Sequence, residues 1–238
     1  MKRIIFAILS ALALLSLTAC DDGRIYREEV FNTEGRAAKL TGTLTGMEKW
    51  PSGYSVAIAG FVEGDDYAVI SRALTEVDGP VSVTMTNIGD EVTSIQLCVL
   101  DRLRRHVMTF YEADIEGIRD TIRMEIGTMD VSMLTTIQQS YFSTTCANCH
   151  GASNRAAAGL YLTEGQSYGA IVGQPSTKVK DKLIVEPGNA DNSVLHMVLN
   201  QQSVEGISMD HRDLVSEKNE QSILPLIDAW INTGAPEK

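Results

Sequence analysis

The chain has little positive charge and few aromatic side chains. Of its 238 residues, 20 are Lys or Arg and 31 are Asp or Glu, which gives a formal net charge of −11. This balance argues against nucleic acid as a partner, because nucleic-acid-binding surfaces need basic patches. An aromatic content of 6% also leaves little material for a surface on which bases stack.

Glycine, proline and cysteine each fall short of the content that fibrous, low-complexity or disulfide-rich proteins need. The 19 glycines and 6 prolines exclude collagen and low-complexity tethers. Four cysteines are too few for a small disulfide-rich domain, so each needs its own explanation. Apolar residues make up 44% and charged residues 21%, which is typical of globular proteins, and this length predicts one or two domains with a real core.

The N-terminus has the pattern of an export signal. A short basic start at Lys2 and Arg3 precedes an apolar run over residues 4–17, which is too short to span a membrane comfortably. The run ends in Leu17-Thr-Ala-Cys20, which resembles the bacterial lipobox, whose cysteine is lipidated and becomes the mature N-terminus. The alternative is an ordinary signal peptide followed by a chance cysteine.

The lipobox interpretation makes the protein an envelope lipoprotein. Residues 1–19 are then a signal peptide, Cys20 is the lipidation site, and residues 20–34 form a tether. The acyl chains would hold the protein on the periplasmic side of the inner or outer membrane, or at the cell surface.

Residues 35–130 alternate between apolar and polar side chains with the period of half-buried strands. The alternation is clearest in three apolar sets: Val81, Val83 and Met85; Ile95, Leu97 and Val99; Ile122, Met124 and Ile126. About seven short strands separated by Gly/Asp turns predict an antiparallel, Ig-like β-sandwich domain. Within it we expect Cys98 to be an unpaired thiol and His106 to be a surface strand residue.

Residues 131–238 predict a small all-α domain. Helical spacing occurs over residues 133–150, and a final helix carrying Trp230 is expected to stop at Gly234. Pro225 lies inside that helix and predicts a kink or a late start. The apolar content is thin for the length of the loops, which favours a large apolar cofactor in the middle.

The chemically informative motif is Cys146-Ala-Asn-Cys149-His150. On a helix these three side chains project to one side within one turn. Two thiols at this spacing can add to the two vinyl groups of a haem while the adjacent imidazole binds the iron, which is the c-type haem attachment signature. The alternatives are a zinc site completed by His196 or His211, a redox dithiol, and a structural disulfide.

The segment from Phe142 to Pro236 resembles the monohaem cytochrome c domains of exported planctomycete and Bacteroidetes proteins. The similarity lies in four ordered segments: Cys146-Ala-Asn-Cys-His-Gly151, Gly159-Leu-Tyr-Leu162, Val185-Glu-Pro-Gly-Asn-Ala-Asp-Asn-Ser-Val-Leu195 and Trp230-Ile-Asn-Thr-Gly-Ala235. The resemblance implies a cytochrome c-like fold that carries covalent haem c.

Carried over to this chain, the resemblance makes Cys146 and Cys149 the thioether residues and His150 the proximal iron ligand. A backbone carbonyl near Ala158 would hold the other imidazole nitrogen, and Leu160 would pack beneath the ring. Met209 would be the distal ligand, although the proline that usually follows it in the family is missing.

Three distal arrangements therefore stay open. They are Met209, ligation by His211 two residues later, and an open iron. Tyr141 and Trp230 would lie in a helix–helix contact beside the haem.

These features predict a membrane-anchored c-type cytochrome that transfers single electrons in the cell envelope. Its partners would be the membrane, through the lipid, and a redox protein. The alternatives are an open-site haem enzyme or sensor of peroxidase-like type, and a non-redox binding lipoprotein whose sandwich does the work.

Overall fold

Alternating apolar side chains in the first half of the chain form β-strands. The computed structural model describes residues 35–151 and 156–238, so Cys20 and the predicted signal peptide and tether lie outside the described residues. The strands are β1 (Arg36–Thr45), β2 (Tyr54–Phe61), β3 (Ile70–Ala73), β4 (Gly79–Ile88), β5 (Ser94–Asp101), β6 (His106–Ala113) and β7 (Thr121–Asp130).

The strands form two sheets that contribute to one hydrophobic core. One sheet has the order β4-β1-β7 and the other β3-β2-β5-β6. The inward side chains are those that the period of two predicts: Ile95, Leu97, Val99, Ile122 and Met124 are fully buried. β1 pairs with β4 antiparallel but with β7 parallel, so the expectation of a purely antiparallel sandwich is wrong.

The rest of the chain consists of short helical segments joined by long loops. They are α1 (Met133–Ile137), a π-helix (Gln138–Cys146), α2 (Ala147–His150), a 3₁₀ turn (Ala157–Gly159), α3 (Ser167–Ile171), α4 (Val194–Asn200), a 3₁₀ turn (Arg212–Leu214) and α5 (Glu217–Asn232). Two isolated β-bridges, Val172 with Val185 and Pro175 with Leu183, lie between α3 and α4.

The predicted fold class, a β-sandwich followed by a separate all-α cytochrome c-like domain, is therefore wrong. The protein is mostly β, with two sheets, and only α5 among the described helices is long. The described residues belong to one compact unit, Glu34–Lys238, and a single core cluster runs from strand residues such as Leu40 to helix residues such as Trp230. Whether residues 35–130 and 131–238 fold independently stays a prediction.

Direct hydrogen bonds join the sheets to the helical part. Trp50 Nε1 donates to the carbonyl of Val131 at 3.1 Å, and the Tyr54 hydroxyl donates to the carbonyl of Ser222 at 2.8 Å. Burial of Tyr54 raises its pKa to about 12, with smaller contributions from nearby carboxylates. A local hydrophobic period does not reveal such contacts.

The last helix shows both a correct and an incorrect prediction. It ends in a Schellman motif, in which the Ala235 amide donates to the Trp230 carbonyl at 2.9 Å and Gly234 has φ +98°. The predicted stop at Gly234 is therefore confirmed. A late start at Pro225 is wrong, because α5 begins at Glu217, after the Ser216 side chain accepts a hydrogen bond from the Asn219 amide.

The predicted environment is confirmed for Cys98 and wrong for His106. Cys98 is a free thiol, and burial raises its pKa to about 12. His106 is half-buried instead of lying on the surface: Nε2 is 2.7 Å from the Thr109 hydroxyl, and the ring meets Phe61 edge-on. In the part of the chain that the structure describes, no helix has the length and hydropathy needed to cross a membrane.

Candidate functional site

The Cys-x-x-Cys-His motif closes a continuous helical segment over residues 133–150. Ser132 caps its start by accepting a hydrogen bond from the Thr135 amide. The middle of the segment is π-helical, so residues five apart bond along the helix, and the buried Ile137 and Phe142 share this spacing. The sequence did not distinguish this π-helix from an α-helix, because Tyr141 and Phe142, four and five residues after Ile137, are both apolar.

Cys146 ends the π-helix, and Cys149 and His150 lie in the α-helical turn that follows. Both cysteines are free thiols; Cys146 is half-buried and Cys149 is exposed. The pKa of Cys146 is raised to about 12, first by burial and second by Cys149. The two sulfurs therefore lie on one short turn, as the spacing predicted.

The imidazole of His150 is held in one orientation by the loop that follows it. Its Nδ1 is 3.0 Å from the carbonyl oxygen of Ala157, one residue before the predicted Ala158. Since this contact occupies Nδ1, it leaves Nε2 available as a ligand atom. Burial is the main cause that lowers the pKa of His150 below its usual value, so the neutral form is favoured.

The loop before α5 also lines the cavity beside the Cys-x-x-Cys-His motif. Met209 and His211 both line the same cavity as His150, although Met209 is 47% exposed. The Nδ1 of His211 is 3.0 Å from the carbonyl oxygen of Met209, which leaves Nε2 of this ring free as well. The structure thus brings both candidate distal ligands to the motif.

Together these segments enclose a cavity of about 630 Å³, which is in the size range of small-molecule and cofactor sites. Its walls are mostly apolar. The lining includes the following residues: Tyr141, Cys146, Cys149, His150, Leu160, Leu162, Ala170, Lys178, Ile184, Val194, Leu195, Val198, Leu199, Ile207, Met209, His211 and Leu214. Tyr141 and Leu160 are therefore at the site as expected, whereas Trp230 is absent from this lining and donates to the Pro236 carbonyl instead.

A buried polar network joins the loop at Leu162 and the start of α3 to the π-helix. Gln138 Nε2 donates to the Leu162 carbonyl at 3.0 Å, and its Oε1 accepts from the Ser167 hydroxyl at 2.5 Å. Gln138 and Ser167 are both buried, so their hydrogen bonds hold the loop at Leu162 and the start of α3 against the π-helix. A polar residue inside an apolar helical face gives no signal by itself, so the role of Gln138 could not be predicted from the sequence.

The other histidine named as a zinc candidate lies elsewhere. His196 is on α4, and its Nδ1 is 2.8 Å from Asp228 on α5. It is not among the residues that line the cavity. Within residues 35–151 and 156–238, no three His, Cys, Asp or Glu side chains are grouped so that they could hold a metal ion.

The residues present fit a covalently attached haem. The fit rests on two free thiols on one helical turn, an imidazole whose Nδ1 is already hydrogen-bonded, and walls of Leu, Val and Ile side chains around a cavity of about 630 Å³. Cys146 and Cys149 would hold the porphyrin, and His150 and Met209 would hold the iron.

Comparison of the chain with protein-family models, with curated proteins and with solved structures gives no match.

Proposed function

We propose that this protein is a membrane-anchored c-type cytochrome that binds haem c covalently and transfers single electrons in the cell envelope. The observation that carries the proposal is that Cys146, Cys149, His150 and Met209 line one largely apolar cavity. The first three are adjacent in the sequence, but Met209 comes from a loop about sixty residues away. This convergence supports a ligand that contacts all four side chains.

Cys146 and Cys149 would provide permanent attachment. Each thiol would add its S–H across one vinyl C=C bond, so that a C–S bond would form and the hydrogen would go to the neighbouring carbon without an oxidant. The thiols must be free for this addition, as both are in the described residues. Covalent attachment suits an exported protein, because a haem lost outside the cell cannot be recovered.

His150 and Met209 would be the residues that hold the iron. The Ala157 carbonyl fixes the imidazole tautomer, and the neutral form that burial favours is the one that binds a metal. A thioether is a soft, neutral ligand, so Met209 would favour the ferrous state. When bound, the haem supplies reversible exchange of one electron between Fe(III) and Fe(II).

The proposed location follows from the N-terminus. A lipidated Cys20 would confine the protein to a membrane surface, where it would meet a redox partner. The formal net charge of −11 would steer the protein toward basic docking surfaces, with an association rate that falls as salt increases.

The decisive experiment is a pyridine haemochrome spectrum of the full chain expressed together with a haem-maturation system. Wild-type protein is expected to carry one haem with the spectrum of two thioether bonds. Cys146→Ser and Cys149→Ser should each show the shifted spectrum of a single thioether or lose haem, and His150→Ala should attach little or none.

Cys98→Ser is the matched control. Cys98 is a free thiol in β5 and is not among the residues lining the cavity, so its replacement should leave the haemochrome spectrum unchanged. Colourless wild-type protein after maturation, or protein that contains zinc, would overturn the proposal.

A further inference from the structure

The rim of the cavity carries one cationic side chain that the proposed chemistry does not use. Among the residues that line the cavity, Lys178 is the only Lys, Arg, Asp or Glu. Lys178 is exposed and makes no salt bridge within the described part of the chain. An unpaired cation at the edge of an apolar cavity favours a ligand with an apolar body and an anionic end.

The two nearest lysines have other contacts. Lys180 is almost fully exposed and lies 4.0 Å from Asp181, while the Lys182 ammonium donates to the Asn192 side chain. Neither of them lines the cavity. Lys178 is therefore the one lysine of this loop that lines the cavity.

The loop that carries Lys178 has a defined backbone. The Ser176 amide donates to the Lys182 carbonyl at 2.8 Å, and the Ser176 hydroxyl accepts from the amides of Lys178 and Val179. From the other side, Gly206 packs so closely on the Lys178 carbonyl that a Cβ there would collide with it. The segment is thus held by hydrogen bonds within its own loop and by its contact with the loop that carries Met209.

Other polar groups on this segment can also donate hydrogen bonds to an anion. Gln174, Ser176 and Thr177 line the cavity together with Lys178, and no carboxylate among the lining residues would repel a negative charge. Charge-assisted hydrogen bonds from such donors are the usual way to bind a carboxylate.

We propose that Lys178, supported by the Gln174–Thr177 segment, is the recognition site for the carboxylate side chains of the tetrapyrrole. This inference rests on the proposed haem function and assigns the end of the cavity at which the propionates lie. It adds a specificity element that neither the Cys-x-x-Cys-His motif nor the Met209 loop contains.

The test uses the full chain isolated without haem maturation, titrated with ferric protoporphyrin IX and with its dimethyl ester. Wild type should bind the diacid more tightly than the ester. Lys178→Gln should lose about tenfold in affinity for the diacid and keep its affinity for the ester, as expected for the loss of one charge-assisted hydrogen bond. Lys180→Gln is the matched control, since it removes the same charge two residues away, and should leave both affinities unchanged.

A second measurement decides the matter if the unmatured chain binds neither porphyrin. In the matured protein, the reduction potential falls as the pH rises through the pKa of the propionates. Lys178→Gln should move this fall to a pH about one unit higher, because the positive charge that favours the ionised propionate is lost. Lys180→Gln should not move it. The other titratable side chains that line the cavity are Tyr141, His150 and His211, while Cys146 and Cys149 would be thioethers in the matured protein. Those next to the cavity-lining Lys178 and Gly206 along the chain are Lys180, Asp181, Lys182 and Glu205. All of these side chains are present in both wild type and Lys178→Gln. The control Lys180→Gln lacks only Lys180.

The two proposals fail in different ways. Wild-type protein without covalent haem would overturn the proposed function. Covalent haem in wild type, together with equal behaviour of Lys178→Gln and Lys180→Gln, or equal loss of diacid and ester affinity in Lys178→Gln, would overturn the Lys178 assignment alone.

Discussion

The imidazole rings of His150 and His211 are stacked, with ring centroids 6.2 Å apart and 18° between their planes. Each ring has its Nδ1 at 3.0 Å from a backbone carbonyl oxygen, that of Ala157 for His150 and that of Met209 for His211. In each histidine the backbone carbonyl therefore engages Nδ1, and both rings line the same cavity.

Replacing Met209 tests the distal ligand directly. Met209→Ala should leave haem attached but lower the reduction potential by on the order of a hundred mV, within the ~0.8 V range that axial ligands cover. The ferric spectrum should lose its sulfur-to-iron charge-transfer band, and the iron should begin to bind cyanide. Spectroelectrochemistry of the matured protein measures all three.

His211→Ala is the paired variant, because it removes the other free imidazole of the cavity. It should keep the charge-transfer band, since Met209 would remain. A normal potential in Met209→Ala, with a large change in His211→Ala, would assign the distal position to His211. A high-spin wild-type spectrum that binds cyanide readily would favour the open-site alternative.

Gly206 should be essential for the position of the Met209 loop. It has φ +89°, and a Cβ there would collide with the Lys178 carbonyl, so Gly206→Ala combines backbone strain with overpacking. We expect a loss of unfolding free energy of about 1–3 kcal/mol from the strain and a similar further amount from the collision. Urea denaturation measures the loss.

Gly188→Ala is the matched control for this substitution. Gly188 has nearly the same φ, +87°, but a Cβ there would meet nothing within 4 Å. It should show the strain alone and leave the spectrum of the haem unchanged. Equal destabilisation by the two variants would mean that the contact between Gly206 and Lys178 is not needed.

His106 should make the stability of the protein depend on pH. Its pKa is lowered from the ordinary value near 6.5, mainly by burial and also by Lys218, while Asp66 and Glu112 act in the opposite direction. Below pH 6.5 the unfolded chain takes up the proton first, so the unfolding free energy falls until the pH passes the folded pKa. Above pH 6.5 the effect is absent because the ring is neutral in both states.

His106→Gln should therefore flatten the pH dependence of the unfolding free energy between pH 6.5 and 5. Glutamine retains a hydrogen-bonding group near Thr109 but does not titrate, and His150, whose pKa is also lowered, is present in both proteins. Denaturant titrations at several pH values measure the slopes. Parallel slopes for wild type and variant would show that protonation of His106 is not linked to folding.

Much of the local structure could be read from the sequence. The alternation over Ile95, Leu97 and Val99 predicted a buried strand face, and Gly234 predicted the end of α5. The spacing of Cys146, Cys149 and His150 predicted that they share one helical turn. These features depend on neighbours within a few residues, where the periods of strands and helices and the conformational freedom of glycine decide the outcome.

Only the tertiary structure decided how these elements meet. The parallel pairing of β1 with β7, the core that joins Leu40 to Trp230, and the approach of Lys178 and His211 to the Cys146 helix all link residues far apart in the chain. Such contacts follow from the packing of complementary surfaces, and no local period encodes which surfaces meet. The sequence by itself therefore determined a chemical motif and its helix, whereas the fold determined the cavity that gives the motif its partners.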